Sequence, residues 1–420
     1  MPSAPPARRA PLVVLIVANV VSTVGGAMSL VALPWFVFEI TGNTTMTGLA
    51  ATCEFLAVAA ASLVAGAFVR RLGPRATRVL SDVFAGVAVL AVPVLHATTG
   101  IDYPVLLVLV AVNGFLRTPA VAASFVLLAR TADLARTTTD AVSGPYLASL
   151  HLANVIGAPL AGAVISLVGA PWALVVDAAT FIASGLAVQV FLPSVRDENR
   201  DRGPSLRTAT AYLRGDRLLV HLVAVSFVLS VALAGWGSVL APVYGQRVLE
   251  SPGLLAVILT ANGIGSILGS SIAGLVGRRV RRSILMPGSA ALAFVPAFVL
   301  LALRAPVPAV VAAMLVAGLG AGLFSATFVT IEYERIPTAE QAHVFGMVGG
   351  IGTAGVAIGP LLAGVALEVV TFPAVAAAIA VVGVLVAAHL TRLTGLREPG
   401  LDPSERAGLK SRTGARRPAP

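Results

Sequence analysis

The sequence predicts an all-α polytopic membrane protein, with twelve transmembrane helices in two pseudo-symmetric six-helix bundles. Three observations carry that prediction. The 420 residues are 57% hydrophobic and only 11% charged, with a mean hydropathy of +0.92. A soluble chain is about a quarter charged and cannot hide so much apolar surface in a core, so lipid must be the solvent for much of this one. The apolar residues also gather into twelve long runs. Finally, 26 of the 29 Lys and Arg residues lie in segments that a single threading of those runs puts on one side of a membrane.

The runs cover 12–38, 47–69, 79–99, 104–129, 142–168, 172–192, 218–243, 253–276, 283–303, 308–331, 342–367 and 371–390. Each is long enough to cross about 30 Å of hydrocarbon at about 1.5 Å per residue, and none alternates apolar with polar as a porin strand would. The tightest junction, between the fifth and sixth runs, is expected at Pro171. The run that follows MPSAPPARRA is too long for a signal-peptide core and reads as a retained first span.

Basic residues set the orientation. Arg8 and Arg9 precede the first span, Arg70, Arg71, Arg75 and Arg78 follow the second, and Arg130 and Arg136 follow the fourth. Six more fill the linker after the sixth span, Arg278, Arg279, Arg281 and Arg282 follow the eighth, Arg335 follows the tenth, and seven lie from Arg392 to Arg417 after the twelfth. The opposite side holds Arg247 and Arg304 alone. This asymmetry places the chain in a cell's inner (plasma) membrane with both termini cytoplasmic. The expected division is an N-terminal tail over 1–11, a first bundle over 12–192, a cytoplasmic linker over 193–217, a second bundle over 218–392, and a tail over 393–420 whose Arg, Pro and Gly content predicts disorder. The net charge of +10 does not indicate a nucleic-acid partner, because the basic residues occupy short inter-span loops and not one folded face. A single cysteine, Cys53, excludes a disulfide framework, and no Cys/His cluster has metal-ligand spacing. No cofactor is expected.

The two halves repeat each other. The second span ends in Ala65-Gly66-Ala67-Phe68-Val69-Arg70-Arg71 and the eighth in Ala273-Gly274-Leu275-Val276-Gly277-Arg278-Arg279. The fifth carries Gly157-Ala158-Pro159-Leu160-Ala161-Gly162, and the eleventh has Gly355, then Gly359-Pro360, then Gly364. Small residues at i and i+4 let helix backbones approach closely, and proline removes a helical hydrogen bond and bends the helix. Two halves related in this way can rock about a central site.

Over residues 10–392 these features resemble the major facilitator superfamily, in particular its drug- and metabolite-efflux branch, which includes macrolide and siderophore exporters. The GAPLAGA segment resembles that family's span-five antiporter motif: Pro159 and Gly162 match, while Ala158 and Ala163 stand where glycines are usual. The resemblance implies export by antiport. The segment from Gly66 to Arg75 resembles the loop 2–3 gating signature, with Gly66, Arg71, Gly73 and Arg75 matching. Arg70 and Arg278 occupy the positions of the family's gating acids, so a latch here needs another acid, and Asp82, Asp133 and Asp140 are candidates on the same face.

Charges inside the spans are costly and so point to function. Arg117, near the middle of the fourth span with Asn113 one turn before it, is the single basic residue that the threading places at mid-membrane, and the branch resemblance covers it too. Glu54, eight residues into the second span, is the best-placed proton carrier, because a carboxyl at that depth can change protonation as its surroundings change. Asp177 sits six residues into the sixth span. Glu54, Asp177 and Arg117 are the expected coupling residues. Asn19, Asn113, Arg117, Asn154, Trp236 and Asn262 are expected to line the substrate cavity. His151 reads as structural, Glu39 and Glu368 as interfacial, and Asp82 as a partner for the arginines over 70–78.

No phosphate-binding loop or catalytic constellation is present, so no enzyme activity is expected. The leading reading is a monomeric, proton-coupled exporter of a small amphipathic drug or metabolite, with lipid, protons and the small molecule as its partners. The alternatives are a facilitator or importer of a small nutrient, and a non-transporting membrane sensor or assembly factor.

Overall fold

The computed structural model describes residues 9–137, 139–193, 215–336 and 341–393. The N-terminal tail, most of the linker, the C-terminal tail, and the side chains of Asp140, His151, Asn154 and Arg278 lie outside the described residues. The rest forms an all-α polytopic protein with helices α1 (Ala10–Thr41), α2 (Thr44–Leu72), α3 (Pro74–Thr98), α4 (Tyr103–Leu134), α5 (Thr139–Val168) and α6 (Ala170–Phe191) in the first half. The second half holds α7 (Arg217–Leu249), α8 (Pro252–Arg279), α9 (Arg282–Ala302), α10 (Val307–Arg335), α11 (Gln341–Val369) and α12 (Phe372–Thr391). Eleven of these carry a described stretch long and apolar enough to cross a bilayer; in the twelfth, α5, the described apolar stretch is the shorter Val155–Val168. Leu63, Leu167 and Val369 are each at least 80% exposed, as side chains that face lipid should be.

Helix boundaries follow local chemistry. Gly42 ends α1 in the left-handed region at φ 61°, and the Asn43 side chain then accepts from Met46 N at 2.8 Å to start α2. The fifth and sixth helices are joined by Gly169 alone, at φ 95°. The chain therefore turns two residues before Pro171, which sits in the first turn of α6, where its missing N–H costs nothing. α7 is not a uniform helix: Trp236–Leu240 and Gly245–Leu249 are π-helical turns on either side of Ala241–Tyr244.

The packing repeats between halves. α1 packs on α5 and α6, α2 on α4, and α3 on α4 and α6; six positions later, α7 packs on α11, α8 on α10, and α9 on α10 and α12. The halves meet through α2 on α11 and through α5 on α8, contacts that the same operation exchanges. The motif glycines share this symmetry. Gly157 seats α5 on Ala27 of α1, as Gly359 seats α11 on Val231 of α7. Gly162 meets Ala256 of α8, as Gly364 meets Thr44 of α2. Pro360 is buried within α11.

With twelve crossings, residues 9 and 393 share one face, here the linker face; the other is the far face. The close inter-half contacts lie toward the far face. Thr44 donates to the Gly364 carbonyl at 3.0 Å and to Glu368 Oε1 at 3.3 Å. Gln246 donates to the Trp35 carbonyl at 2.7 Å. Arg247 donates to the Gly42 carbonyl at 3.3 Å and lies 4.8 Å above the Phe38 ring. The molecule is thus sealed at the far face, and the largest buried apolar cluster continues that seal from Met28–Phe38 of α1 into α7.

Candidate functional site

Glu54, Arg117 and Asp177 come from three helices and meet around one turn of a fourth. Arg117 Nη1 lies 3.5 Å from Glu54 Oε1, with the Arg117 side chain 30% exposed and that of Glu54 10% exposed. The Arg117 guanidinium lies 5.9 Å above the Phe181 ring. It can lie there because α1 presents Gly26: a Cβ at that position would stand 2.8 Å from Arg117 Nη2. The next residue, Gly25, does the same for Asp177, whose Oδ1 would be 2.6 Å from an added Cβ. Asp177 is fully buried, accepts a hydrogen bond at Oδ2 from the Ser29 hydroxyl, and has no partner for Oδ1 among the described residues. Gly25 and Gly26 are consecutive, so Asp177 and Arg117 lie against adjacent residues of α1. On the other side, Gly114 of α4 packs against the Glu54 backbone, fixing α2 against α4 at the ion pair. Two carboxyls and one guanidinium in a poorly solvated space can share charge and protons only by changing partners.

A second polar cluster lies nearer the linker face. Arg78, which the sequence reading assigns to the loop after the second span, is one turn inside α3 and only 3% exposed. Arg117 keeps its place as the mid-membrane arginine, but Arg78, near the linker face, is the more deeply enclosed of the two. Its Nε donates to Asp82 Oδ2 at 2.7 Å, Nη1 to Asn19 Oδ1 at 2.8 Å and to Ser124, and Nη2 to Ser184 Oγ at 3.0 Å. Ser184 in turn donates to Asp82 Oδ2 at 2.9 Å, and Asn19 to the Leu15 carbonyl at 2.9 Å. A buried ion pair persists only when its remaining donors and acceptors are satisfied, and four helices supply the partners here. Asn19 is therefore committed to this cluster and does not face a cavity. Asp82 is paired with Arg78 and stands away from Arg70 and Arg71, both exposed at the end of α2. Gly73 makes the following turn at φ 85°, Gly66 packs near Arg70, and Gly274 has open space beside it. Asp133 is exposed.

The second half contains a cavity of about 210 Å³ between α7, α8, α9 and α10. Trp236 and Asn262 both line it. Trp236 opens the first π turn of α7 and meets Phe298 edge-to-face at 5.4 Å. Asn262 donates to the Met314 carbonyl at 3.3 Å. Asn113 is elsewhere, buried in α4 with Oδ1 lacking a partner among the described residues. Sequence reasoning missed Ser29, Gly25 and Gly26, which carry no charge signal, and also Glu332. That carboxyl is 5% exposed in the last turns of α10, with Oε1 unpartnered among the described residues. For Arg78, the i, i+4 spacing to Asp82 was a readable signal.

Comparison with known proteins gives the same architecture. The sequence profile of the Major Facilitator Superfamily matches residues 15–258 and 246–419. The chain is 27% identical over 370 residues to the multidrug efflux pump Tap of Mycolicibacterium fortuitum, covering 85% of this chain and 89% of that one. It is 26% identical over 404 residues to the Tap pump of Mycobacterium tuberculosis, covering 94% and 96%. Among solved structures, a mutant of the nucleoside transporter NupG superposes with a TM-score of 0.77 at 15% identity, over 90% of this chain and 98% of that one. A D-xylose-proton symporter superposes at 0.68 and 13% identity, over 91% and 96%. These two likenesses concern the fold.

Proposed function

As the chain belongs to the Major Facilitator Superfamily, whose members are secondary transporters, we propose that it is a proton-coupled antiporter exporting a small amphipathic compound from the cytoplasm. The observation that carries the coupling half of this reading is the Glu54–Arg117 pair, held 3.5 Å apart beside the buried Asp177. With Glu54 ionised, the pair neutralises itself. A proton on Glu54 removes that attraction, and Arg117 is left against Phe181 and Gly26, one residue along α1 from the Gly25 that Asp177 faces. Because Gly26 and Gly114 hold α1 and α4 in contact with the pair, a change of partner must shift helices against one another. Such a shift is how a protonation event biases a two-state equilibrium.

Three further observations support the direction. The relatives named above are called multidrug efflux pumps. The GAPLAGA segment packs α5 on both α1 and α8. The arginine-rich linker face matches the cytoplasmic side by the positive-inside pattern, so a molecule sealed at its far face is open to cytoplasmic substrate.

The test is accumulation of ethidium and a panel of aromatic amphiphiles by inverted membrane vesicles. Uptake should require an imposed proton gradient, and Glu54→Gln should lower gradient-driven uptake by at least about tenfold while the protein is inserted normally. Gradient-driven uptake that persists in Glu54→Gln would remove Glu54 from the mechanism. Uptake by the wild type that ignores the gradient would favour a facilitator.

A further inference from the structure

The Glu54–Arg117 pair and Asp177 all belong to the first half, as do the glycines that hold them. A proton there can move one half against the other only if something carries its effect across. A small void beside Glu54 is where that carboxyl faces the second half. It is lined by Leu30 and Pro34 of α1, Thr47 and Glu54 of α2, and Ser238 of α7, among others. Three of these bring a polar group in need of a partner. Pro34 has no N–H, so the Leu30 carbonyl loses its helical donor. Ser238 is 7% exposed in the first π turn of α7, and its hydroxyl makes no hydrogen bond among the described residues. The Glu54 carboxyl makes none either, and its ion-pair partner is Arg117 at 3.5 Å. Thr47 is already committed, donating to the Asn43 carbonyl at 3.0 Å. The void leaves about 10 Å³ for the centre of a water-sized sphere, which is room for one water.

We propose that one ordered water in this void ties Glu54 to Ser238 across the two halves. Ser238 is then the positioning residue through which the second half senses the charge on Glu54. This rests on the proton-coupled reading above and supplies its step between the halves. The water donates to the Glu54 carboxylate and to the Leu30 carbonyl, and accepts from the Ser238 hydroxyl. Three bonds are usual for a buried water. With Glu54 ionised, its bond is charge-assisted and about twice as strong as a neutral one; a proton on Glu54 removes that advantage. The link exists only while α1, α2 and α7 meet, which is with the far face sealed. Ionised Glu54 therefore holds the empty protein sealed, and opposes the leak in which a carrier that has released its proton reopens without cargo. Glu54 is the only charged residue lining the void among the described residues. The charges around it are Arg117 of α4 and Asp177 beyond Gly25, while Glu368 of α11 is engaged by Thr44 at the far face.

The test is a double-mutant cycle of Ser238→Ala and Glu54→Gln on the full chain in lipid nanodiscs, without substrate. Spin labels at Thr99→Cys and Leu303→Cys, at the far-face ends of α3 and α9, report opening in a Cys53→Ser background. Ser238→Ala alone should shift the population toward the far-face-open state by about five- to tenfold. With Glu54→Gln present the same substitution should shift it by at most about twofold. Pro34→Ala gives the Leu30 carbonyl a helical donor without threatening the helix, and should act in the same direction with the same dependence on Glu54. In proteoliposomes, Ser238→Ala should raise substrate-free proton leak by a similar factor. Infrared spectra should carry an O–H band that moves in isotopically heavy water, and Ser238→Ala should lose it. A serine that merely packs would shift the distances equally in both Glu54 backgrounds. That result, or no shift in Ser238→Ala, or no such band in the wild type, overturns the proposal. The two readings fail separately. An absent interaction beside a Glu54→Gln that has lost gradient-driven uptake sinks the water link and leaves the coupling. A strong interaction beside unimpaired uptake keeps the link and removes the proton from Glu54.

Discussion

Gly48 is the position where one methyl group should move the whole molecule. It lies on α2 against the α11 backbone: an added Cβ would stand 2.9 Å from the Pro360 carbonyl carbon and 3.2 Å from the Leu361 Cα, and closer still to the Pro360 oxygen. Those atoms are backbone, so no side chain can swing away and the helices must part. Overpacking of this kind costs about 1–3 kcal/mol. It acts only on the conformation in which α2 and α11 touch at the far face, so it converts into a shift of about 5- to 150-fold toward the far-face-open state. Gly48→Ala is measured by electron–electron distances between spin labels in a Cys53→Ser background. One pair, Thr99→Cys with Leu303→Cys, sits at far-face ends of α3 and α9; another, Arg71→Cys with Arg279→Cys, sits at linker-face ends of α2 and α8. The first pair should lengthen and the second shorten. Gly364→Ala, whose Cβ would meet the Thr44 carbonyl across the same interface, should do likewise. Gly318→Ala is the control: its clash is with the Asn262 carbonyl inside the second half, so it should lower stability without moving either pair. Distances unchanged by both Gly48→Ala and Gly364→Ala, in folded protein, would refute the account of the seal. So would equal movement in Gly318→Ala.

Two further expectations rest on the polar contacts. Arg78→Met leaves Asp82 as a buried, unpaired carboxylate and should cost about 3–5 kcal/mol of stability, most of which Arg78→Met with Asp82→Leu should restore; detergent-solubilised melting curves of the singles and the double decide it. Arg247→Ala loses a partly exposed cation–π contact with Phe38 and one long hydrogen bond to Gly42. That contribution is about 0.5–1 kcal/mol, so the Thr99–Leu303 label pair should show only a two- to fivefold shift, roughly, toward opening.

Much of the fold was legible because membrane solvent imposes a one-dimensional rule: apolar length and loop charge are both read along the chain. The repeat was legible for a related reason. Gly157 and Gly162 each seat α5 on a different helix, α1 and α8, and Gly359 with Gly364 must solve the same problem in the second half. The junction at Gly169 was missed by two residues because Pro171 looks like a breaker, although proline is at home in the first turn of a helix. The π turns of α7 were not legible at all. Trp236–Leu240 shows neither a proline nor a charge, and Arg247 in Gly245–Leu249 does not by itself signal a π turn.

The candidate site shows more sharply where sequence reading stops. Ionisable residues announce themselves in an apolar span, so Glu54, Arg117 and Asp177 could be named from the chain alone. What brings them together could not, because it is an absence: Gly25 and Gly26 remove two side chains from α1 at the turn where Asp177 and Arg117 need the space. Glycine contributes almost nothing to a hydropathy profile, and α1 holds other small residues that pack without consequence. The same helix carries Trp35, Phe38 and Gly42, which receive Gln246 and Arg247 of α7 at the far-face seal. Gly26 and Trp35 are nine residues apart on one continuous helix, about 13 Å along a rigid rod. Trp236 lies on the helix that reaches the seal from the other side. α1, which the sequence marks with no acid before Glu39 and with one committed asparagine, is therefore the element that both the ion pair and the seal press upon. Its role is set by tertiary neighbours, and only the packed structure displays it.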